Sequence, residues 1–177
     1  MVNKIILQTM NLFFLSLDPD QCAKWHCDKH VVKMILEIVQ MLYTAWHVNG
    51  VLPSGAPLCK SSGKPGYKKA HVNHPMTKWM RQSVGNYDFA VRLAAALALE
   101  FEYRYGHYHS CTKHVIWLAA HQPPFDSLEM TPVPQCMPDQ YKVPGDSVQA
   151  YRNYYLGDKS RFAKWSKRPQ PPWWKNM

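Results

Sequence analysis

Acidic residues, paired cysteines and long apolar runs are all in short supply in this 177-residue chain, and each shortage closes off a class of protein. Twelve Asp+Glu stand against twenty-one Lys+Arg, leaving +9 with histidine neutral. That bias favours polyanionic partners, nucleic acid ahead of anionic membrane, over the plainer alternative of a basic protein with no such partner. The five cysteines, Cys22, Cys27, Cys59, Cys111 and Cys136, are odd in number and follow no CxxC spacing, which argues against a disulfide framework and for a cytosolic setting. No apolar run approaches the ~18 residues of a membrane span. The opening MVNKIILQTMNLFFLSLDPD also lacks the small-residue cleavage site of a secretory signal, so secretion and membrane insertion are disfavoured. No internal repeat and no domain boundary is visible, and the length suits one domain over 1–177.

What the chain does have is aromatic residues: seven Trp and ten Tyr, more than packing alone usually demands. The apolar IILQTMNLFFLSL reads as a short N-terminal strand ending at DPD, where Asp18 caps a helix and Pro19 opens it. One long helix is expected from Pro19 to His47, then a mobile basic loop over 49–74 whose charges are all positive. A second long helix starts near NHPMTKW, with a kink expected at Gly85, and ends at Gly106. Ser110 or Thr112 caps a third helix over KHVIWLAA. Residues 122–146 are too proline-dense for regular structure and should wrap the surface in extended form. A helix capped by Asp146 or Ser147 and weakened at Gly157 precedes a basic aromatic tail, 166–177. The fold class is therefore mainly α: a compact single-domain helical bundle with a short N-terminal strand and long Pro/Gly-rich loops.

In the first long helix, steps of about 100° place His26, Lys29, His30, Lys33, Glu37, Gln40 and Thr44 on one stripe, while nearly all the remaining arc is apolar. A helix packed on most of its sides lies inside the domain, so its polar stripe should face a cleft. Asp28 breaks the pattern, falling among Ile35, Val39 and Trp46. An ionised carboxylate in an apolar setting needs a partner or a raised pKa. Asp28 is thus either a tuned functional carboxylate or, if the helix begins near Trp25, a first-turn residue matched to the helix dipole. Lys33 and Glu37 at i,i+4 form a surface pair or, in a cleft beside His30, a proton-handling set.

Histidines and cysteines recur at suggestive spacings: Cys22, His26 and His30; His71 and His74; His107, His109, Cys111 and His114. They match no established zinc pattern, and no metal or cofactor is assigned. Backbone hydrogen bonds or phosphate contacts suit them better, and in HVNHP the pair Asn73 and His74 should cap the helix opened by Pro75. Aromatic and basic residues interleave in TKWMRQSVGNYDF, EYRYGHYHSCTKH and YRNYYLGDKSRFAKWSKRPQPPWWK. Such patterns hold unstacked nucleobases beside phosphates, although Trp79, Tyr87, Tyr103, Trp117 and Tyr151 also suit a core.

The run CDKHVVKMILEIVQML, followed by HVNHPMTKWMRQSVGNYDF, EYRYGHYHS, TPVPQCMPD and AYRNYYLGDKSRFAKW, resembles a family of small proteins encoded by bacteriophages and large DNA viruses. The likeness runs from about Met10 to near the C-terminus. Members begin near MNLFFL, so residues 1–9 look like an extension. More distantly, Asn73, His74, Pro75, Trp79, Tyr87, Glu100 or Glu102, and Arg104 to Gly106 resemble the later region of pyrimidine-dimer DNA glycosylases with AP-lyase activity. That resemblance implies a compact helical protein with an N-terminal amine as nucleophile and a first-helix acid. Asp28 lies nearest the acid's place, with Glu37 the other option; Val2 after loss of Met1, Lys29 or Lys33 are the amines on offer.

The combined expectation is a viral-type DNA-processing enzyme, a damaged- or modified-base glycosylase with possible lyase activity, working in the host cytoplasm or nucleus. Asp28, Glu37, Lys33, Lys29 and His30 would carry the chemistry. His71, Asn73, His74, Trp79, Arg81, Tyr87, Arg104, His109, Lys164, Lys167 and Arg168 would hold nucleic acid, DNA favoured. A non-catalytic nucleic-acid-binding accessory protein and a metal-dependent hydrolase built on the Cys/His clusters are the alternatives.

Overall fold

Asp18 accepts from the Asp20 backbone nitrogen and Pro19 occupies the first helical position, so the first helix starts where its capping residues demand. The computed structural model describes residues 11–175. Within them the chain forms six α-helices and no strand: α1 Pro19–Trp25, α2 Asp28–Asn49, α3 Pro75–Met80, α4 Val84–Tyr105, α5 Thr112–Ala120 and α6 Ser147–Tyr154. Short 3-10 turns at Asp139–Tyr141 and Pro172–Lys175 and a π turn at Tyr155–Lys159 complete the set. The mainly helical architecture is the one expected.

α2 is the axis of the molecule, packing on α4 and more lightly on α3 and α5, while α1 lies against α4. By length and composition α2 could cross a membrane, with a mean hydropathy of 1.2 over its best window, but 67% of that window is buried inside the fold. Its apolarity serves the core. Val31, Ile35, Ile38, Val39 and Leu42 are fully buried, together with Leu12, Phe14 and Leu15 of the N-terminal segment.

Four boundaries differ from expectation, each for a local reason. The single helix expected from Pro19 to His47 is broken at His26 and Cys27, whose ψ values of 134° and 160° are extended, and α2 restarts at Asp28. The strand expected at the N-terminus is absent from residues 11–17, which run unpaired into the core; the earlier part of that segment, with the 1–9 extension, lies outside the described residues. The helix expected to kink at Gly85 is divided instead at Arg81–Ser83, where the Ser83 hydroxyl caps α4. Gly85 serves a different purpose: the Gly85 nitrogen donates to Leu128 O, and a Cβ there would meet the Met130 backbone nitrogen at 2.7 Å.

The fourth difference is the basic loop, which carries hydrogen bonds of its own and is bonded to α2. Cys59 N donates to Lys64 O, Gly63 N to Cys59 O, and Gly66 N to Pro57 O. Three contacts pin the loop to α2. Thr44 Oγ1 bonds both the nitrogen and the carbonyl of Ala70, His47 Nε2 donates to Tyr67 O, and Gly66, at φ +63°, lets the chain approach the Tyr43 ring so closely that a Cβ would collide with it. The Pro-rich stretch 122–146 does wrap the surface with one short 3-10 turn.

A candidate active site around Glu37

Nine helical steps lead from Asp28 to Glu37, which sets them on opposite faces and roughly 13 Å apart along the axis. The two carboxylates expected in one site belong to two different environments.

Glu37 is 4% exposed. Its Oε2 accepts from the backbone nitrogen of Asn11 at 2.9 Å, and its Oε1 pairs with Lys33 Nζ at 3.2 Å. Burial pushes its carboxyl above the ordinary range, and the Asn11 N–H, Lys33 and the nearby His71 only partly oppose that. A buried carboxyl whose pKa is raised, beside an amine, is a candidate general acid. Asn11 is itself fixed, because its Nδ2 donates to Cys136 O and its Oδ1 accepts from Tyr151 Oη. Lys33 is exposed, whereas Glu37 is buried. His71, also exposed, holds φ +49°, a left-handed conformation unusual for a side-chain-bearing residue. From there it connects to the α3 entry, where His74 caps the helix by accepting from Met76 N and Arg81 Nη1 donates to Val72 O. Asn73 is exposed in the same turn.

Asp28 belongs to a structural network. It is the first residue of α2, its Oδ1 accepts from Arg104 Nη1 at 2.9 Å, and its carboxylate accepts from both the nitrogen and hydroxyl of Ser166. Burial alone would raise its pKa, but the Ser166 and Arg104 hydrogen bonds outweigh that and hold it below the usual carboxylate range. Arg104 Nε also donates to buried Glu100 at 2.7 Å, and Arg168 closes the ring with Nη2 on Glu100 at 2.9 Å. Two acids and two arginines thus neutralise one another while tying the tail to α2 and α4.

The histidines of α1 and α2 are core groups. His26 Nδ1 donates to Cys22 O, and burial lowers its pKa to about 4. His30 is stacked on Phe13, bonded to Tyr155 Oη, and pushed far below its ordinary value, chiefly by burial. It stands apart from Glu37 chemistry. Lys29 is exposed with its Nζ 4.9 Å from the Phe162 ring centre. Trp79 and Tyr87, expected to touch nucleic acid, are buried and donate to Thr131 O and His121 O. Arg104 is buried in the network just described, and His109 accepts from Cys111 N. Lys164 and Lys167 are exposed beside Arg168 at the Asp28 end of the molecule.

Among the described residues no group of three His, Cys, Asp or Glu is arranged to hold a metal ion, so the geometry gives the hydrolase alternative no support. Asn11 and Ser166 went unforeseen. Asn11 acts through its backbone, which carries no sequence signal, and Ser166 lies 138 residues from its partner. Compared with protein-family models, curated proteins and solved structures, the chain matches none.

Proposed function

We propose that this protein is a DNA glycosylase for damaged or modified bases, with Glu37 as the carboxylate and an adjacent amine as nucleophile. The observation that carries this reading is the bond from the Asn11 nitrogen to buried Glu37, whose pKa burial raises, with Lys33 Nζ on the other oxygen. The resemblance described above implies a terminal amine facing a first-helix acid. A chain beginning at Asn11 would carry its α-amine at that nitrogen; in the longer chain, Lys33 is the amine at the same carboxylate.

Base loss places positive charge on the deoxyribose, which an ionised Glu37 would stabilise. In its protonated form Glu37 would supply a proton to the departing base. An amine, losing a proton, bonds to C1′ as the glycosidic bond breaks; the C1′–O4′ bond then opens, O4′ taking up a proton, to give the imine through which strand cleavage proceeds. Asp28 takes no part in this scheme, because its oxygens are committed to Arg104 and Ser166.

The test is borohydride trapping on abasic duplex and measurement of free base released from ultraviolet-irradiated duplex, using both the full chain and a chain beginning at Asn11. A covalent adduct mapping to Lys33 or to the Asn11 amine is expected, with Glu37→Gln abolishing both readouts. Absence of adduct and of released base from both forms overturns the reading. Retained DNA affinity in that case would leave the accessory-protein alternative.

A further inference from the structure

One turn beyond Glu37, Gln40 begins the wall of a cleft of about 570 Å³ between the second half of α2 and the 59–70 loop. We propose that this cleft binds one nucleotide unit of a nucleic-acid single strand, with Lys64, Lys68 and Lys69 on its phosphates and the base lodged beside Tyr67, Gln40 and His47. The proposal rests on the reading that the partner is nucleic acid, and it assigns the place where the strand is held.

Charge comes first. From residue 38 to residue 87 the chain contains no Asp or Glu, yet it carries Lys60, Lys64, Lys68, Lys69, Lys78 and Arg81. Lys64, Lys68 and Lys69 line the cleft, are exposed, and among the described residues none has an acidic partner within 4.0 Å. Three uncompensated cations on a concave surface concentrate positive potential where a flat basic face would disperse it. An anionic membrane needs the flat face, whereas a strand fits the groove.

Shape and hydrogen bonding then narrow the ligand. The volume lies in the range of ordinary small-molecule sites, roughly 300–1,000 Å³. Tyr67 lines the cleft and is held in place, its hydroxyl 3.4 Å from Cys111 Sγ and its ring 4.9 Å from the His114 ring, an aromatic group against which a planar base can pack. The carboxamide of Gln40 has no hydrogen-bond partner among the described residues and is free to read a base edge. His47 donates through Nε2 to Tyr67 O, and its Nδ1 has no partner among the described residues. The three pins between loop and α2 form the cleft before any ligand arrives, so little ordering entropy is lost on binding. Continuity with Glu37 is direct, since Lys33, Glu37 and Gln40 succeed one another along one helix face.

The experiment measures fluorescence anisotropy of a labelled oligothymidylate strand across a salt series, with thermal melting as the folding control. Replacing Lys64, Lys68 and Lys69 together by Gln should weaken binding about tenfold or more and flatten the plot of log K against log salt by about 2. The triple change Lys24→Gln, Arg92→Gln and Lys142→Gln alters net charge equally but lies elsewhere, and should leave the slope nearly unchanged. Gln40→Trp fills the cleft without changing charge and should weaken binding comparably. Thymidine monophosphate should compete and inorganic phosphate should compete far less.

Equal losses in the two triple variants, or wild-type affinity in folded Gln40→Trp, overturn the proposal. Equal competition by phosphate removes the base from it, and binding of the free mononucleotide without binding of the strand replaces the strand by a free nucleotide. Because these readouts are of binding alone, their failure leaves the glycosylase chemistry standing. Loss of borohydride trapping leaves the cleft standing in turn.

Discussion

Glu37 and Asp28 illustrate opposite fates for a carboxylate on one helix. Ionising Glu37 in its buried setting costs free energy that Lys33 and the Asn11 N–H recover only in part, since its pKa remains raised. The unfolded chain loses that proton near pH 4.5, before the folded protein does, so the penalty begins above that pH and is complete above the folded pKa. Glu37→Gln keeps the shape and an acceptor for Asn11 N. At neutral pH it should melt at or above the wild-type temperature, with any advantage vanishing below pH 4.5, while base release disappears. A marked loss of stability at neutral pH would make Glu37 a structural anchor. Asp28 behaves conversely: its lowered pKa means that its contribution is present above about 3.9, the ordinary aspartate value, and is lost as pH falls through the folded one. Asp28→Asn leaves Arg104, whose side chain is 1% exposed, with one carboxylate fewer. The expected cost is about 2 kcal/mol, discounted from a fully buried pair because Asp28 is partly solvated. Urea denaturation measures it, and an unchanged midpoint would show the network to be dispensable.

Among the elements, the tail after α6 is a latch and not a trailing end. Ser166 bonds Asp28, Arg168 bonds Glu100 and lies 4.0 Å over the Tyr103 ring, and Trp165 Nε1 donates to Trp25 O. Ser166→Ala with Arg168→Gln should therefore lower stability by about 2–3 kcal/mol and expose the tail to proteolysis, read by denaturation and limited trypsin digestion. Unaltered digestion would mean that the aromatic contacts alone hold the tail. These elements also show what a sequence can disclose. Helix starts at Pro19, Pro75 and Ser147 were legible because caps are local chemistry, as was the C-cap at Gly106, where φ is +75°. The interior position of α2 followed from its apolar arc, and Glu37 was among the residues it singled out. The break at His26–Cys27 was not legible, because nothing in WHCDKH is a helix breaker. It follows from tertiary bonds, with Lys164 O taking the Asp28 N–H from 136 residues away. The same distance problem concealed the partners of Asp28, whereas the alternative that it is a first-turn residue was legible: Asp28 opens α2. Of the interleaved aromatics, Trp79 and Tyr87 went to the core, since periodicity reports burial without naming what lies above it.

At the scale of the whole molecule, charge and protonation set the conditions under which the fold persists. Six of the nine net positive charges belong to residues 38–87, so the basic field is lopsided toward the cleft face. Acidification adds charge through histidine, and here three of the nine are buried: His26, His30 and His114. Burial, more than any neighbour, lowers all three from their ordinary value of 6.5, His26 and His114 to about 4. The unfolded chain therefore takes up protons first as pH drops below 6.5, and folded stability is lost over the interval from 6.5 down to about 4. Each imidazole kept neutral by the fold adds up to about 1.4 kcal/mol per pH unit to that loss, and half-buried His74 and His109, also lowered chiefly by burial, add to it. Glu37 opposes this weakly, binding its proton earlier in the folded protein, but one carboxyl does not offset three imidazoles. Melting temperature should be nearly flat above pH 7 and fall from pH 6 toward pH 4. His114→Gln keeps a partner for Tyr43 Oη, which now bonds His114 Nδ1 at 2.9 Å, and removes one titrating site. It should make the acid slope shallower. A melting profile indifferent to pH between 6.5 and 4.5, in wild type and variant alike, would require these imidazoles to be reached by water as readily as those on the surface.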